Sequence, residues 1–288
     1  MSPPSRPQHP PIVLAFAASD PTGGAGIQAD LLTLSSMGCY ALSVITAITV
    51  QDTAGVEDVM AIDSDWVVDQ ARAVLEDMPV AAFKVGMTGS VENIAAIAEV
   101  VADYPDIPLI LDPVLASGRG DELASEDMIA ALSELLLPQT TIITPNSQEA
   151  RRLARPPLPE DEDSAEDEDD PNLPECATRI LKLGCEYVLI TGTHENTLQV
   201  INTLYNEQGV VRADNWERLP GSYHGSGCTL ASAIAATLAN GLDIPEAVRE
   251  AQEYTWQALA AGFRPGMGQY IPDRFFWARD ADDGNDQA

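Results

Sequence analysis

Lysine is almost missing from this chain: Lys84 and Lys182 are the only two among 15 basic residues, set against 45 acidic ones. The formal net charge of −30 argues against a basic patch for nucleic acid or for an anionic membrane surface, because both need lysine and arginine to neutralise phosphate. Any phosphate bound here must rest on backbone amides, helix dipoles and metal. The composition suits a protein kept soluble at high ionic strength, and equally an ordinary acidic cytosolic protein. The four cysteines, Cys39, Cys176, Cys185 and Cys228, lack the short paired spacing of a zinc site, and they indicate no disulfide framework. No apolar run reaches the length of a membrane span. Residues 1–11 carry five prolines and no apolar stretch, so they read as a flexible arm rather than a secretory signal, and the cytoplasm is the expected location. No internal repeat is evident.

What is present is an α/β alternation. A chain of 288 residues, 45% hydrophobic, can bury one large core. Strands are expected at Ile12 to Ala17 and Ala41 to Thr49, and helices at Gln28 to Met37 and Ala95 to Ala102. The continuous apolar runs Leu109 to Leu111, Thr141 to Ile143 and Tyr187 to Ile190 fit buried parallel strands. Each ends in a polar or turn cluster, and ligands of open parallel sheets bind at such carboxyl ends. Val200 to Ala213 reads as an edge hairpin, followed by helices at Thr229 to Asn240 and Pro245 to Ala261. The segment 156–172 holds dense runs of acids between prolines, cannot gain enough burial to order itself, and reads as a solvated surface insertion. Its acids lack the glycine-turned spacing of a calcium loop.

Two glycine-rich loops carry chemistry. In Gly221 to Thr229, Gly225 and Gly227 let backbone N–H groups turn inward, and a helix starting at about Cys228 adds the positive end of its dipole, so the loop can cradle an anion. A thiol there has its ionised form favoured, which makes Cys228 a proton acceptor or nucleophile, although a buried cysteine also serves as a small apolar residue. In Ala18 to Asp30, three glycines in four positions permit close approach by a ligand, and Asp30 can accept hydrogen bonds from a polar substrate. The glycine spacing does not match a dinucleotide fingerprint.

Six segments occur in order: Ser19 to Asp30, Val44 to Gln51, Lys84 to Met87, Leu111 to Val114, Ile143 to Glu149 and His224 to Thr229. Together they resemble the hydroxymethylpyrimidine/phosphomethylpyrimidine kinases of thiamine biosynthesis, within the ribokinase-like family. The resemblance implies a three-layer α/β/α sandwich with a mostly parallel central sheet, spanning 12–270 with a tail at 271–288. It also implies a phosphotransferase that uses ATP and Mg²⁺ and phosphorylates the pyrimidine twice. A homodimer is expected. The resemblance places Asp30, Gln51, Met87, Gly24 and Val114 at the pyrimidine. It places Asp112, Asn146, Glu149, Thr191 and Gly192 at ATP and Mg²⁺, with Glu149 reaching the metal through water. Gly225, Ser226, Gly227 and Cys228 form the catalytic loop, where related sugar kinases have Asp in place of Cys.

The residues agree with that chemistry. Phosphoryl transfer needs donors for the moving phosphate, a metal to offset its charge and an acceptor for the hydroxyl proton. Gln51 carries a carbonyl and an NH₂, so it can pair with the ring nitrogen and exocyclic amine of an aminopyrimidine. Two departures stand out: Ala18 replaces a glycine common in relatives, and Ile190 to His194 lacks the lysine that many relatives have after this strand. Alternatives are a pyridoxal kinase and a non-catalytic ligand-binding member of the same fold.

Overall fold

The computed structural model describes residues 9–116, 120, 122–155 and 171–279, and within them one nine-stranded sheet runs through the molecule. In chain order the elements are β1 (Ile12–Ser19), α1 (Gly26–Ser36), β2 (Tyr40–Gln51), β3 (Val56–Ala61), α2 (Ser64–Leu75), β4 (Val80–Val85) and α3 (Val91–Ala102). There follow β5 (Leu109–Leu111), α4 (Glu126–Ala131), β6 (Ile142–Ile143), α5 (Ser147–Leu153), α6 (Leu173–Leu181) and β7 (Tyr187–Ile190). The hairpin β8 (Gln199–Asn206) and β9 (Gly209–Glu217) leads to α7 (Ser226–Ala239) and α8 (Ile244–Ala260).

The strand order is β3-β2-β1-β4-β5-β6-β7-β8-β9, with β2, β1, β4, β5, β6 and β7 parallel and the outer strands antiparallel. From β1 the chain winds first to one side, to β2, and then to the other, to β4. Loops leaving the carboxyl ends of β1 and β4 therefore diverge and leave a crevice between them.

Alternation along β1 explains the layers. Leu14 and Phe16 enter a core completed by α2 to α6, while Val13, Ala15 and Ala17 enter a second core with α1, α7 and α8. Helices on both faces of a mostly parallel sheet make the three-layer sandwich. Helix α7 is the most enclosed: Ala231, Ala233, Ile234, Ala235 and Ala236 are fully buried. Its small side chains on every face let it lie between the sheet and α8, which fixes where its N-terminus points.

Several expectations need correction. The helix expected from about Cys228 starts two residues earlier, at Ser226, because Gly225 takes a left-handed conformation (φ 82°) that turns the chain into it. Strand β3 was unread: it carries Glu57 and Asp58 and shows no apolar run. The tail expected at 271–288 is part of the fold at its start, and its residues 280–288 lie outside the described residues. Ile271 pairs with Phe263, and Asp273 and Arg274 are buried. Of the expected arm, residues 1–8 lie outside the described residues, whereas the Pro11 carbonyl accepts from the Tyr40 amide. Of the acidic insertion, 156–170 lies outside the described residues, and Asn172 caps α6. No described helix is long and apolar enough to cross a membrane.

Candidate active site

A cavity of about 730 Å³ opens at the carboxyl ends of the strands, where the order reverses. Its wall includes Gln51, Met87, Val114, Asp112, Asn146, Glu149 and Thr191 together with Gly225 to Cys228. Residues from six separate segments of the sequence thus meet in one place.

The first turn of α7 forms one side. Its first four N–H groups have no partner within the helix, and Gly225 supplies no side-chain cap for them. The conformation is enforced from outside, because a Cβ on Gly225 would collide with the Gly24 carbonyl oxygen. Cys228 is half-buried here, close to the Lys84 ammonium and the Asp112 carboxylate. The favoured thiolate expected from the helix N-terminus does not hold: desolvation pushes the thiol up to about 12, and the nearby Lys84 ammonium only partly opposes this.

Beneath that turn lies a residue whose role the motifs left unassigned. Lys84 of β4 is fully buried, with Nζ 2.9 Å from Asp30 Oδ1 and 3.8 Å from Asp112 Oδ2. Burial alone would lower its pKa, but the charges of Asp30, Cys228 and Asp112 outweigh it and hold the ammonium above its usual range. Asp30 is corrected accordingly. It has no exposed surface, does not line the cavity, and accepts from Lys84 and from Ser232 Oγ at 2.7 Å. A charged lysine in an apolar strand was the available signal, since such a group demands a carboxylate partner.

Glu149 and Asn146 start α5 as a capping box. Asn146 Oδ1 accepts from the Gln148 and Glu149 amides, and Glu149 Oε2 accepts from the Asn146 amide at 2.9 Å. Burial, and then the neighbouring Asp112, push the Glu149 carboxyl up to about 8. Asp112, too, is raised by burial, and its Oδ2 is enclosed without a hydrogen-bond partner. Two raised carboxyls and an unsatisfied oxygen fit a divalent cation. Among the described residues no group of three His, Cys, Asp or Glu side chains is placed to hold a metal ion by itself.

The adjoining lip is the β1–α1 loop, which packs directly against Gly225. Asp20, 1% exposed, accepts from the Thr22 amide and hydroxyl, from the Ala25 amide and from His224 Nε2 at 2.8 Å. Burial would raise this carboxyl, but the His224 and backbone hydrogen bonds outweigh it and hold it below the usual range. Arg274 locks the same loop from the C-terminal side, donating to the Gly24 carbonyl at 2.5 Å and to Thr229 Oγ1 at 3.1 Å. Asp20, His224 and Arg274 had no role in the sequence reading. The first two are polar residues beside glycine-rich turns, whereas nothing local marks Arg274.

Gly24 and Gly192 do not line the cavity. Gly24 packs behind His224, and the Gly192 amide donates to Asn202 Oδ1 at 3.1 Å. Where relatives have the absent lysine, Thr191 lines the wall and bridges to Asn146. The loop that follows is held by Arg218, which donates to the carbonyls of Thr193, Glu195 and Thr197.

With this geometry in view, the chain compares closely with known proteins. The phosphomethylpyrimidine kinase family profile matches residues 20–273. A hydroxymethylpyrimidine/phosphomethylpyrimidine kinase of Streptomyces coelicolor is 38% identical over 93% of this chain and 96% of its own length. The Escherichia coli protein of the same name is 36% identical over 86% of this chain and 90% of its own. Among solved structures, the phosphomethylpyrimidine kinase of Clostridium difficile superposes with a TM-score of 0.71 at 36% identity, over 86% of this chain and 99% of that one. The pyridoxal kinase of Staphylococcus aureus in complex with ADP reaches 0.81 at 30% identity, over 94% and 96%. Matched nearly end to end in sequence and in fold, with its ordered motifs gathered around one cavity, the chain belongs to the phosphomethylpyrimidine kinase family.

Proposed function

We propose that this chain transfers the γ-phosphoryl group of ATP to 4-amino-5-hydroxymethyl-2-methylpyrimidine, and then to its monophosphate, in thiamine biosynthesis. The observation that carries this reading is the shared cavity. The unpartnered amides of the α7 first turn, the Cys228 thiol and the Gln51 amide all face one space.

Gln51, Met87 and Val114 hold the pyrimidine ring so that its hydroxymethyl oxygen approaches Cys228. The amides of Gly225 to Cys228 receive the moving phosphoryl oxygens, donors already fixed before the charge develops. Cys228 takes the hydroxyl proton as its own thiol proton passes toward the Asp112 carboxylate beside it. Lys84 and Asp30 fix the charge beneath this exchange. Glu149, beside Asn146 and Asp112, would hold hydrated Mg²⁺, and Thr191 borders the space for the triphosphate. A divalent cation held there would offset the charge of the phosphates. The acting form is a homodimer in the cytoplasm.

A coupled assay of ADP release tests the reading with three acceptors: the pyrimidine, its monophosphate and pyridoxal. Turnover of the first two, exceeding that of pyridoxal, is expected. Turnover of pyridoxal alone would assign the chain to its pyridoxal kinase neighbours. No turnover of any by the folded protein would leave a ligand-binding member of the fold.

A further inference from the structure

Strand β2 alternates, so Ile48 and Val50 face outward while Thr49 and Gln51 point together into the cavity. The two are hydrogen-bonded: Gln51 Nε2 lies 2.8 Å from Thr49 Oγ1, and Thr49 Oγ1 lies 2.9 Å from the Ser19 carbonyl oxygen at the end of β1. Donor accounting fixes every direction in this chain of atoms. A carbonyl can only accept, so the single hydroxyl hydrogen of Thr49 goes to Ser19. The Thr49 oxygen can then only accept from Gln51. The amide must therefore turn its NH₂ toward Thr49 and its Oε1 toward the cavity, with one N–H left over.

We propose that Thr49 is a specificity-determining positioning residue: by locking the flip state of the Gln51 amide, it selects a ring with an amine beside a ring-nitrogen acceptor over the 4-oxo ring. The inference rests on the reading of Gln51 as the residue that pairs with the base. The 4-oxo ring presents the reverse pattern, a ring N–H donor beside a carbonyl acceptor. Pairing with it requires the Gln51 amide to rotate by half a turn, which places Oε1 against the Thr49 oxygen and sets two acceptors face to face. Without the hydroxyl the amide rotates without that loss, and discrimination falls. Thr49 is buried and anchored to the neighbouring strand, so its hydroxyl cannot swing to follow the amide.

The test measures kcat/KM for the 4-amino substrate and for its 4-oxo analogue in the full chain, comparing wild type with Thr49→Val, Thr49→Ala, Thr49→Ser and Gln51→Leu. Thr49→Val should lower the amino-to-oxo ratio about tenfold, the effect of one net hydrogen bond, mainly through KM and with kcat nearly unchanged. Thr49→Ala should behave like Thr49→Val, and Thr49→Ser should restore the ratio. General loosening of the strand would reduce both substrates together and leave the ratio alone, so an unchanged ratio in Thr49→Val and Thr49→Ala overturns the proposal. If Gln51→Leu collapses the ratio while the Thr49 variants keep it, Gln51 reads the base unaided. If Gln51→Leu keeps both ratio and KM, the reading of Gln51 falls, and the role of Thr49 with it.

Discussion

Lys84 Nζ sits 2.9 Å from Asp30 Oδ1, and neither side chain has any exposed surface. A buried pair adds little net stability, yet removing one partner strands a charge. Asp30→Asn should therefore destabilise the fold by ~3–5 kcal/mol, read as a shift in the urea midpoint. Adding Lys84→Met removes the stranded cation and should recover part of that loss. A double variant no more stable than Asp30→Asn would show that the cost arises at Ser232 or Asp112 instead.

Cys228→Ser should reduce turnover by roughly 10²–10⁴-fold, the span of general acid–base contributions. Cys228→Asp should keep more activity than Cys228→Ser. Because burial holds the thiol up to about 12, it is protonated at neutral pH. Its alkylation by iodoacetamide should thus be slow at pH 7 and accelerate as pH rises. Rapid labelling at pH 7 would mean a thiolate already formed in the resting site.

Asp20 should contribute to stability on the acid side. Its carboxyl is held below its ordinary value in the folded state, so it stabilises the protein above the unfolded carboxylate range and loses that contribution as pH falls through the folded value. Wild type should exceed Asp20→Asn in urea midpoint by most above about pH 5. The gap should close toward pH 2. A gap independent of pH would assign the effect to shape rather than to charge.

Arg274→Met should leave the Gly24 carbonyl without its buried donor, at a cost of about 1–3 kcal/mol. KM should rise for the pyrimidine, because the loop that loosens forms the lip of its pocket. Thermal unfolding and initial rates check the two effects separately. A variant with lowered unfolding temperature and wild-type KM would limit Arg274 to stability.

Local pattern carried much of this architecture. Leu109 to Leu111 and Tyr187 to Ile190 read as buried strands because parallel strands covered on both faces are apolar throughout. The glycine loops were legible because their geometry is set within a few residues, whereas Asn146 and Glu149 were read as nucleotide and metal residues and not as the helix cap they also form. Pairings across long stretches of sequence were not. Asp30 reads as a substrate-facing acid at the start of a helix until β4 brings Lys84 beneath it, 54 residues on. Cys228 looks activated by the helix dipole until burial, a property of the whole fold, is counted against it. Arg274 follows the same logic. Its partners lie at Gly24 and Thr229, and no spacing near it announces either.

That last contact also sets an order of events. Arg274 meets a carbonyl 250 residues earlier in the chain, and His224 meets Asp20 across 204 residues. During synthesis the sheet can begin to pair while the β1–α1 loop still lacks its fastenings. The nascent chain can therefore acquire its framework well before it acquires a competent pocket. Arg274 is the closing clasp of the β1–α1 loop.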